Sequence, residues 1–548
     1  MTKKNKKTPQ YDFANMTYGE FQDLYEKYGS ERKTVKALGI KRTTLQNYKK
    51  SAYKRMFTAQ RMEDATIILP TDQVQVFILS AAQDSSKVHK GFLKNIEAYA
   101  QHRNAEIMIA GYTYNKSMFE DHSKAAGVYE SCLGPYLISD RVMFGEDLMF
   151  CAEVNTLPTA VNPLSGMATY TGQASGVFPH AKYHLDSIPV DKESNTKIIQ
   201  TTGTMTYPNY VQKKAGQKAE HYHEIGASVV ELLPDGRFFV RHIAAGKNGD
   251  FQDLGYKVES GKVTEGHRVM AVTWGDIHHE KKDDVINYAC WGVGPDIGSP
   301  YLTMADELRP EFSFIHDIID FKPRNHHNIK DPHFMYEMHI RGEANVEDTL
   351  AEAADFLHSI CHPDTKTVVV QSNHDLALMT WLKTADYRID PENAEFFLRT
   401  QAEVYSAIKA NNKDFQVLAW AFYRSCADLN VKWLVEDESF TIANGIQCGC
   451  HGHLGANGSR GNPMQFSRTG RRSNTAHTHS ATVRDGAWVA GVSGSLDMGY
   501  NKGLSSWSHS HIITLQTGKR QMVTQYPDGL WCADALQDAL QTDWPQYG

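Results

Sequence analysis

Val272-Thr-Trp-Gly-Asp276-Ile-His278, Phe314-Ile-His-Asp317-Ile-Ile-Asp320, Val368-Val-Val-Gln-Ser-Asn373-His374-Asp375, Ile446-Gln-Cys-Gly-Cys-His451-Gly-His453 and Thr475-Ala-His477-Thr-His479 follow one another along the chain. The first three leave the apolar, strand-like runs Val269–Trp274, Phe312–Ile315 and Thr367–Val370. Helical stretches between the blocks imply parallel strands, with the donor-bearing loops gathered at one sheet edge. Asp, His and Asn offer oxygen and imidazole donors that suit Mn²⁺, Fe, Zn²⁺ or Mg²⁺. Such a donor set exceeds the needs of one tetrahedral ion and suffices for two ions sharing a carboxylate, the arrangement used for in-line displacement at phosphorus.

Composition bounds the rest. The 548 residues carry 57 Lys plus Arg against 64 Asp plus Glu, a formal charge of −7, with 41% hydrophobic and 22% charged residues. That is the profile of a globular protein with ample core for several domains, and it excludes collagen-like, disulfide-scaffold and fully disordered classes. No apolar run reaches the roughly 18 residues of a membrane span, and the basic start MTKKNKKTPQYDF lacks the apolar stretch of a secretory signal. The 8 Cys form no regular framework and read as reduced thiols, so a cytoplasmic site of action with no membrane partner is expected.

The charge is unevenly spread. Residues 1–60 hold 14 Lys or Arg against 5 Asp or Glu, so the head is basic and the body acidic. Thr17 with Glu20 forms a capping box before a helix burying Phe21, Leu24 and Tyr25. Ser30 caps a second helix over Glu31–Leu38, Gly39 suits its left-handed end, and a third helix starts near Arg42 with Leu45 and Tyr48 on one face. Helix, glycine turn, helix resembles the helix-turn-helix of phage and transposase DNA-binding proteins. That resemblance implies base contacts from Arg42, Thr43, Thr44, Gln46 and Asn47 and phosphate contacts from Lys41, Lys49, Lys50, Lys54 and Arg55. Three regions are expected: a basic helix-turn-helix-like domain over 1–62, an α/β domain over 66–265, and the motif-bearing domain over 267–548. In the middle region, Val74–Ser80, the amphipathic Ser86–Ala100 and Ile107–Tyr112 read as a βαβ unit, and Ala227–Leu233 and Arg237–Ile243 as a hairpin. His221 and His223 beside Glu224 read as a surface loop in preference to a metal site, and Cys448 and Cys450, without a second Cys pair, as small strand residues.

In their fixed order the five blocks resemble the calcineurin-like metallophosphoesterase superfamily, whose pattern runs D-x-H, G-D-x-x-D, G-N-H-D/E, H and G-H-x-H. The resemblance covers roughly residues 267–485. It implies an α/β fold with a metallophosphoesterase β-sandwich flanked by helices, and two divalent ions, with Mn²⁺ expected ahead of Fe, Zn²⁺ or Mg²⁺. By position, Asp276, His278, Asp317 and His479 would hold the first ion and Asp317 would bridge. Asn373, His451 and His477 would complete the second site. His374 would face the substrate, stabilising the transition state or protonating the leaving oxygen, with Asp375 placed to orient it. His316, Ser372 and Ala476 stand where the family has glycine, and His316 is the bulkiest departure.

Gly-x-Ser-x-Gly and Gly-x4-Gly-Lys-Ser/Thr are both absent, which argues against a serine hydrolase elbow and a P-loop. Three features favour a nucleic-acid substrate: the basic head; the Gly- and Arg-rich loop carrying Arg460, Arg468, Arg471 and Arg472; and the donors Lys322, Arg324, Asn325, His326 and His327 after block two. At whole-chain level the order resembles the pre-early DNA-degrading nucleases of T-odd lytic coliphages. This implies a DNase that cleaves by metal-activated hydroxide attack on phosphorus, degrades host DNA in the host cytoplasm and works as a homo-oligomer. The alternatives are a phosphatase or phosphodiesterase on small molecules or proteins, and a DNA-binding regulator with a non-catalytic metal domain.

Overall fold

The computed structural model describes residues 11–13, 16, 18–48, 65–114, 128–294, 302–325, 328–443 and 445–535. The chain forms two compact units, one of residues 1–67 with 140–143, the other of 68–139 with 144–548.

The first unit is helical where its head is described. Helix Tyr18–Tyr28 is followed by Glu31–Leu38, whose cap Ser30 accepts from the Lys33 N–H and whose end is closed by Gly39 at φ 67°. Residues 42–48 form a third helical stretch. Phe21, Leu24 and Leu45 make its small core, with Tyr25 and Ile40 packed against it. Thr17 of the expected capping box, and Lys49, Lys50, Lys54 and Arg55, lie outside the described residues.

The second unit is mixed α/β. Strand Gln75–Gln83, helix Lys90–Arg103 and strand Ala105–Tyr112 make the expected βαβ unit, the strands pairing in parallel. Gly226–Leu232 and Phe238–Ala244 pair antiparallel across the Pro-Asp-Gly turn and extend the same sheet. A six-stranded sheet runs in the order Val431–Leu434, Lys366–Val370, Phe312–His316, Ala271–Thr273, Ser510–Thr514 and Arg520–Thr524; the first four strands are parallel and the last two antiparallel. The β-branched runs Thr367-Val-Val-Val and Phe314-Ile are buried on both faces, as parallel strands covered by helices require. One such helix, Val346–Ser359, is capped by Asn345 and buries Val346, Leu350, Ala353, Ala354 and Leu357 as one stripe. Each large aliphatic side chain so buried stabilises the fold by about 1.5–3 kcal/mol.

A longer sheet carries strands from both halves of this unit. His184–Ile188 pairs antiparallel with Thr482–Arg484, so the strands of residues 148–201 continue into those of residues 441–489. The regions read as 66–265 and 267–548 therefore share a sheet. Ala271, Phe314, Val368 and Val370 of the six-stranded sheet pack with Ile442, Ile446 and Cys448 of the longer one. Among the described residues no helix is long and apolar enough to cross a membrane.

Several charged groups within this core form ion pairs. Glu231 and Asp253 hold Arg241, and Glu231 and Asp534 hold Arg103. His242 is buried against the Tyr183 ring and sits 2.7 Å from the Thr201 carbonyl. Burial pushes His180, His242 and His511 down to about 4. Their folded values thus lie below the ordinary 6.5, so their contribution to stability is full above about pH 6.5 and is lost as pH falls toward 4. The thermal midpoint should fall steadily from pH 7 to pH 4.5, and His242→Gln, which cannot charge, should reduce that fall. A midpoint flat over this range would show that these imidazoles charge without cost.

Candidate metal centre

The parallel strands Ala271–Thr273, Phe312–His316 and Lys366–Val370 end at one edge of their sheet, and the loops beyond them carry Asp276 and His278, Asp317 and Asp320, and Asn373 and His374. The longer sheet faces this edge with two strands of its own. His451 follows Ile446–Gln447, and His477 and His479 follow Ser473–Thr475.

The ligand atoms of Asp276, His278, Asp317 and His479 all lie within 4.8 Å of one another, and all four side chains are buried. His278 Nε2 is 3.1 Å from His479 Nε2 and 3.4 Å from Asp317 Oδ2; His479 Nε2 is 3.1 Å from Asp276 Oδ2. His451 Nε2 lies 3.4 Å from Asp317 Oδ2, and the His451 and His477 rings are 5.2 Å apart. His453 turns away and meets Glu436 at 2.9 Å. A second grouping joins His278, Asp320 and His374, with both His278 Nδ1 and His374 Nδ1 3.5 Å from Asp320 Oδ1.

The backbone is bent to achieve this. His278 (φ 49°), Asp317 (φ 46°), His477 (φ 75°) and His479 (φ 57°) all adopt left-handed conformations that cost a residue with a Cβ on the order of 1 kcal/mol or more. Gly275 permits the approach of the Asp276 loop to the next strand, since a Cβ there would lie 2.6 Å from the Val492 nitrogen. The Gly275 N–H donates to His511 Nδ1, and the His477 N–H donates to Asp276 Oδ2. At His316 the side chain ends an extended strand and the left-handed turn falls on Asp317 itself, so the missing family glycine leaves the turn intact.

Electrostatics divides these groups. Burial, then the Asp317 charge, pushes Asp276 well above the carboxylate range. Burial also works against Asp317, but His451, His374 and His278 outweigh it and hold it well below. Burial pushes His477 and His479 down to about 4 and His451 well below its usual value. His374 is the exception: burial is outweighed by Asp317 and Asp320, which raise it.

The donor set fits a divalent cation. Asp276 Oδ1, Asp317 Oδ1, Asn373 Oδ1 and His451 Nε2 are buried without hydrogen-bond partners, and oxygen with imidazole nitrogen is the mixture that Mn²⁺, Fe, Zn²⁺ and Mg²⁺ accept.

Several expectations are corrected. Asp375 does not take the place beside the His374 ring: it closes its own turn, accepting from the Ser372 N–H while its N–H donates to Ser372 Oγ, and burial, then Asp317, pushes it up to about 7. The carboxylate nearest His374 Nδ1, at 3.5 Å, belongs to Asp320, which was not singled out in the sequence. Arg324 is no surface contact, being buried in a two-bond pair with Asp390 at 2.6 Å. Asn325 is also buried and donates to the Asp320 carbonyl. His326 and His327 lie outside the described residues. Arg42 pairs with Glu31, Thr43 and Thr44 are exposed, Arg471 is exposed, and the half-buried Arg472 donates to the Gly518 carbonyl. His223 has both ring nitrogens engaged, by Tyr210 Oη and the Thr206 carbonyl. Trp507, absent from the sequence motifs, packs 4.2 Å from the His479 ring.

Fold and site together define a mixed α/β protein with a buried His/Asp cluster able to hold metal. Over 484 residues the chain is 40% identical to Protein A1 of Escherichia phage T5, covering 85% of each chain. It belongs to the family of that protein and is a T5-like phage protein. No family model and no solved structure matches it.

Asp317 Oδ2 lies 3.4 Å from both His278 and His451, between the two proposed ion positions. Asp317→Asn should weaken Mn²⁺ binding, read by calorimetry on EDTA-stripped protein, by at least the roughly 100-fold at the upper end for loss of an outer-shell partner. Unchanged affinity in a folded variant would remove Asp317 from the ligand set.

Proposed function

We propose that the protein is a two-metal phosphodiesterase of the calcineurin-like kind whose substrate is DNA. The observation that supports this most is the convergence of donors from five separate blocks in one buried crevice, with His374 at its slightly open edge, 11% exposed. Asp276, His278, Asp317 and His479 would hold one ion, and Asn373, His451 and His477, with Asp317 shared, the other. Bound there, two divalent cations would favour hydroxide at neutral pH and offset charge developing on the phosphoryl oxygens.

The protein's own groups supply the rest. Asp317 and Asp320 raise His374 against burial, which favours the protonated ring that would serve the leaving oxygen. The Asp320 backbone carbonyl, 3.4 Å from His374 Nδ1, would orient that ring and leave Nε2 for the substrate side, with the Asp320 carboxylate 3.5 Å from the same nitrogen. DNA is favoured over a small ester by the basic head, with its three helical stretches read as a helix-turn-helix, and by exposed Arg460, Arg468 and Arg471 in the segment between the fourth and fifth blocks, Arg468 ending its short helix Pro463–Arg468. Thr43, Thr44, Lys49 and Lys50 are the head residues assigned to DNA. In a T5-like phage the accessible DNA is the host's, and the host cytoplasm is where the enzyme would work.

Supercoiled plasmid should be nicked or linearised with Mn²⁺ or Mg²⁺ and left intact in EDTA. Cleavage should weaken between about 50 and 200 mM salt as phosphate contacts are screened. His374→Ala should keep its metal and lose about 10²–10⁴-fold in kcat. Hydrolysis of a small chromogenic diester with plasmid untouched would move the assignment to small phosphodiesters, and metal bound without turnover of either would favour a regulator.

A further inference from the structure

We propose that His316 is a positioning residue for His451, accepting a hydrogen bond that fixes which ring nitrogen of His451 faces the metal centre. The proposal rests on the reading of His451 as a metal ligand.

His316 is fully buried at the end of the strand Phe312–His316. Its ring lies 5.5 Å from that of His451, tilted by 33°, and the two Nδ1 atoms are 3.4 Å apart. His451 Nε2 has no hydrogen-bond partner and points toward Asp317 Oδ2 at 3.4 Å. Nε2 is therefore the nitrogen turned toward the carboxylates.

A neutral imidazole carries one N–H. If Nε2 is to give its lone pair to a cation, the proton must sit on Nδ1, and a buried N–H needs an acceptor. Asp276 Oδ1, at 3.8 Å from His451 Nδ1, is beyond hydrogen-bond reach. His316 Nδ1 is within reach and accepts in the tautomer that carries its own proton on Nε2. The cost falls on His316, whose buried Nε2 has no hydrogen-bond partner. In the reverse arrangement His316 would donate, His451 would carry its proton on Nε2, and it could not ligate. The side chain that departs most from the family's glycine thus selects the ligating tautomer of His451. Ligand histidines whose outer nitrogen loses its partner typically lose 10–100-fold in metal affinity.

The test uses the full chain, stripped with EDTA and titrated with Mn²⁺, followed by calorimetry and by the electron paramagnetic resonance of the coupled ion pair. Wild type should take up two ions. His316→Leu, which fills the space without an acceptor, should weaken one of them about 10–100-fold and lose the coupled signal at stoichiometric Mn²⁺. The ion held by Asp276, His278, Asp317 and His479 should stay tight. His316→Asn places an oxygen where Nδ1 stood and should recover most of the affinity. Wild-type affinity for both ions in His316→Leu would overturn the proposal, as would an asparagine variant as weak as the leucine one. Should the leucine variant fail to fold, ¹⁵N spectra of histidine-labelled wild type loaded with Zn²⁺ decide. Protonated Nδ1 on His451 with unprotonated Nδ1 on His316 supports the proposal, and the opposite assignment overturns it. A wild type that takes up a single ion would instead sink the two-ion reading, before any substitution is made.

Discussion

Two carboxylates, Asp276 and Asp317, are buried within reach of the same histidines, and the surrounding loops are arranged around that repulsion. An isolated buried carboxylate is costly, and two in one crevice cannot both stay charged unless positive charge or donors are supplied. The protein supplies part of this itself. The His477 N–H is aimed at Asp276, and His278, His374 and His451 surround Asp317. One oxygen of each carboxylate, Oδ1, remains buried without a hydrogen-bond partner. A cation there would invert the local balance, since its charge favours ionised carboxylates and neutral imidazoles at once.

This arrangement sets demands on distant parts of the chain. Ligands come from two sheets, so the sheets must be held in register. Asn474, on the strand before His477, donates to Thr273 and Thr514 of the six-stranded sheet and accepts from Arg520. His511 and Gln525 bond one another while His511 accepts from the Gly275 N–H, tying the Asp276 loop to the antiparallel edge. Side-chain hydrogen bonds between strands thus do at this junction what apolar packing does elsewhere. They also fix direction, which packing alone does not.

Much of this was readable from residues alone, for reasons that differ by element. The buried parallel strands announce themselves as Val-, Ile- and Phe-rich runs, and the middle βαβ unit and hairpin follow from period and turn chemistry. The donors were legible because oxygen and imidazole groups at strand ends have few structural uses in such numbers. The strand Ser473–Thr475 was poorly legible because it is polar and buried, and its Asn474 finds partners on other strands, at Thr273, Thr514 and Arg520. The pairing of His184–Ile188 with Thr482–Arg484, which merges regions that read as separate, has no local signature at all. Arg324 misled because charge was counted as exposure, when Asp390, 66 positions along, had already claimed it.

The histidines of the crevice divide by environment in a way that matches distinct duties. His451, His477 and His479 are held neutral chiefly by burial, and a neutral ring is what a cation requires. His374 is buried nearly as deeply yet is raised, because Asp317 and Asp320 lie beside it. The two influences on His374 are not equivalent. A cation at Asp317 would offset that carboxylate, whereas the Asp320 carboxylate lies 3.5 Å from Nδ1 of both the His374 and the His278 ring. Burial acts to raise Asp320, and His278, His374 and Lys281 together hold it below its ordinary value, so it stays ionised. Asp320 is then the charge that would remain beside His374 if a cation offset Asp317. The same crevice thus holds three imidazoles that burial lowers and one that neighbouring carboxylates raise.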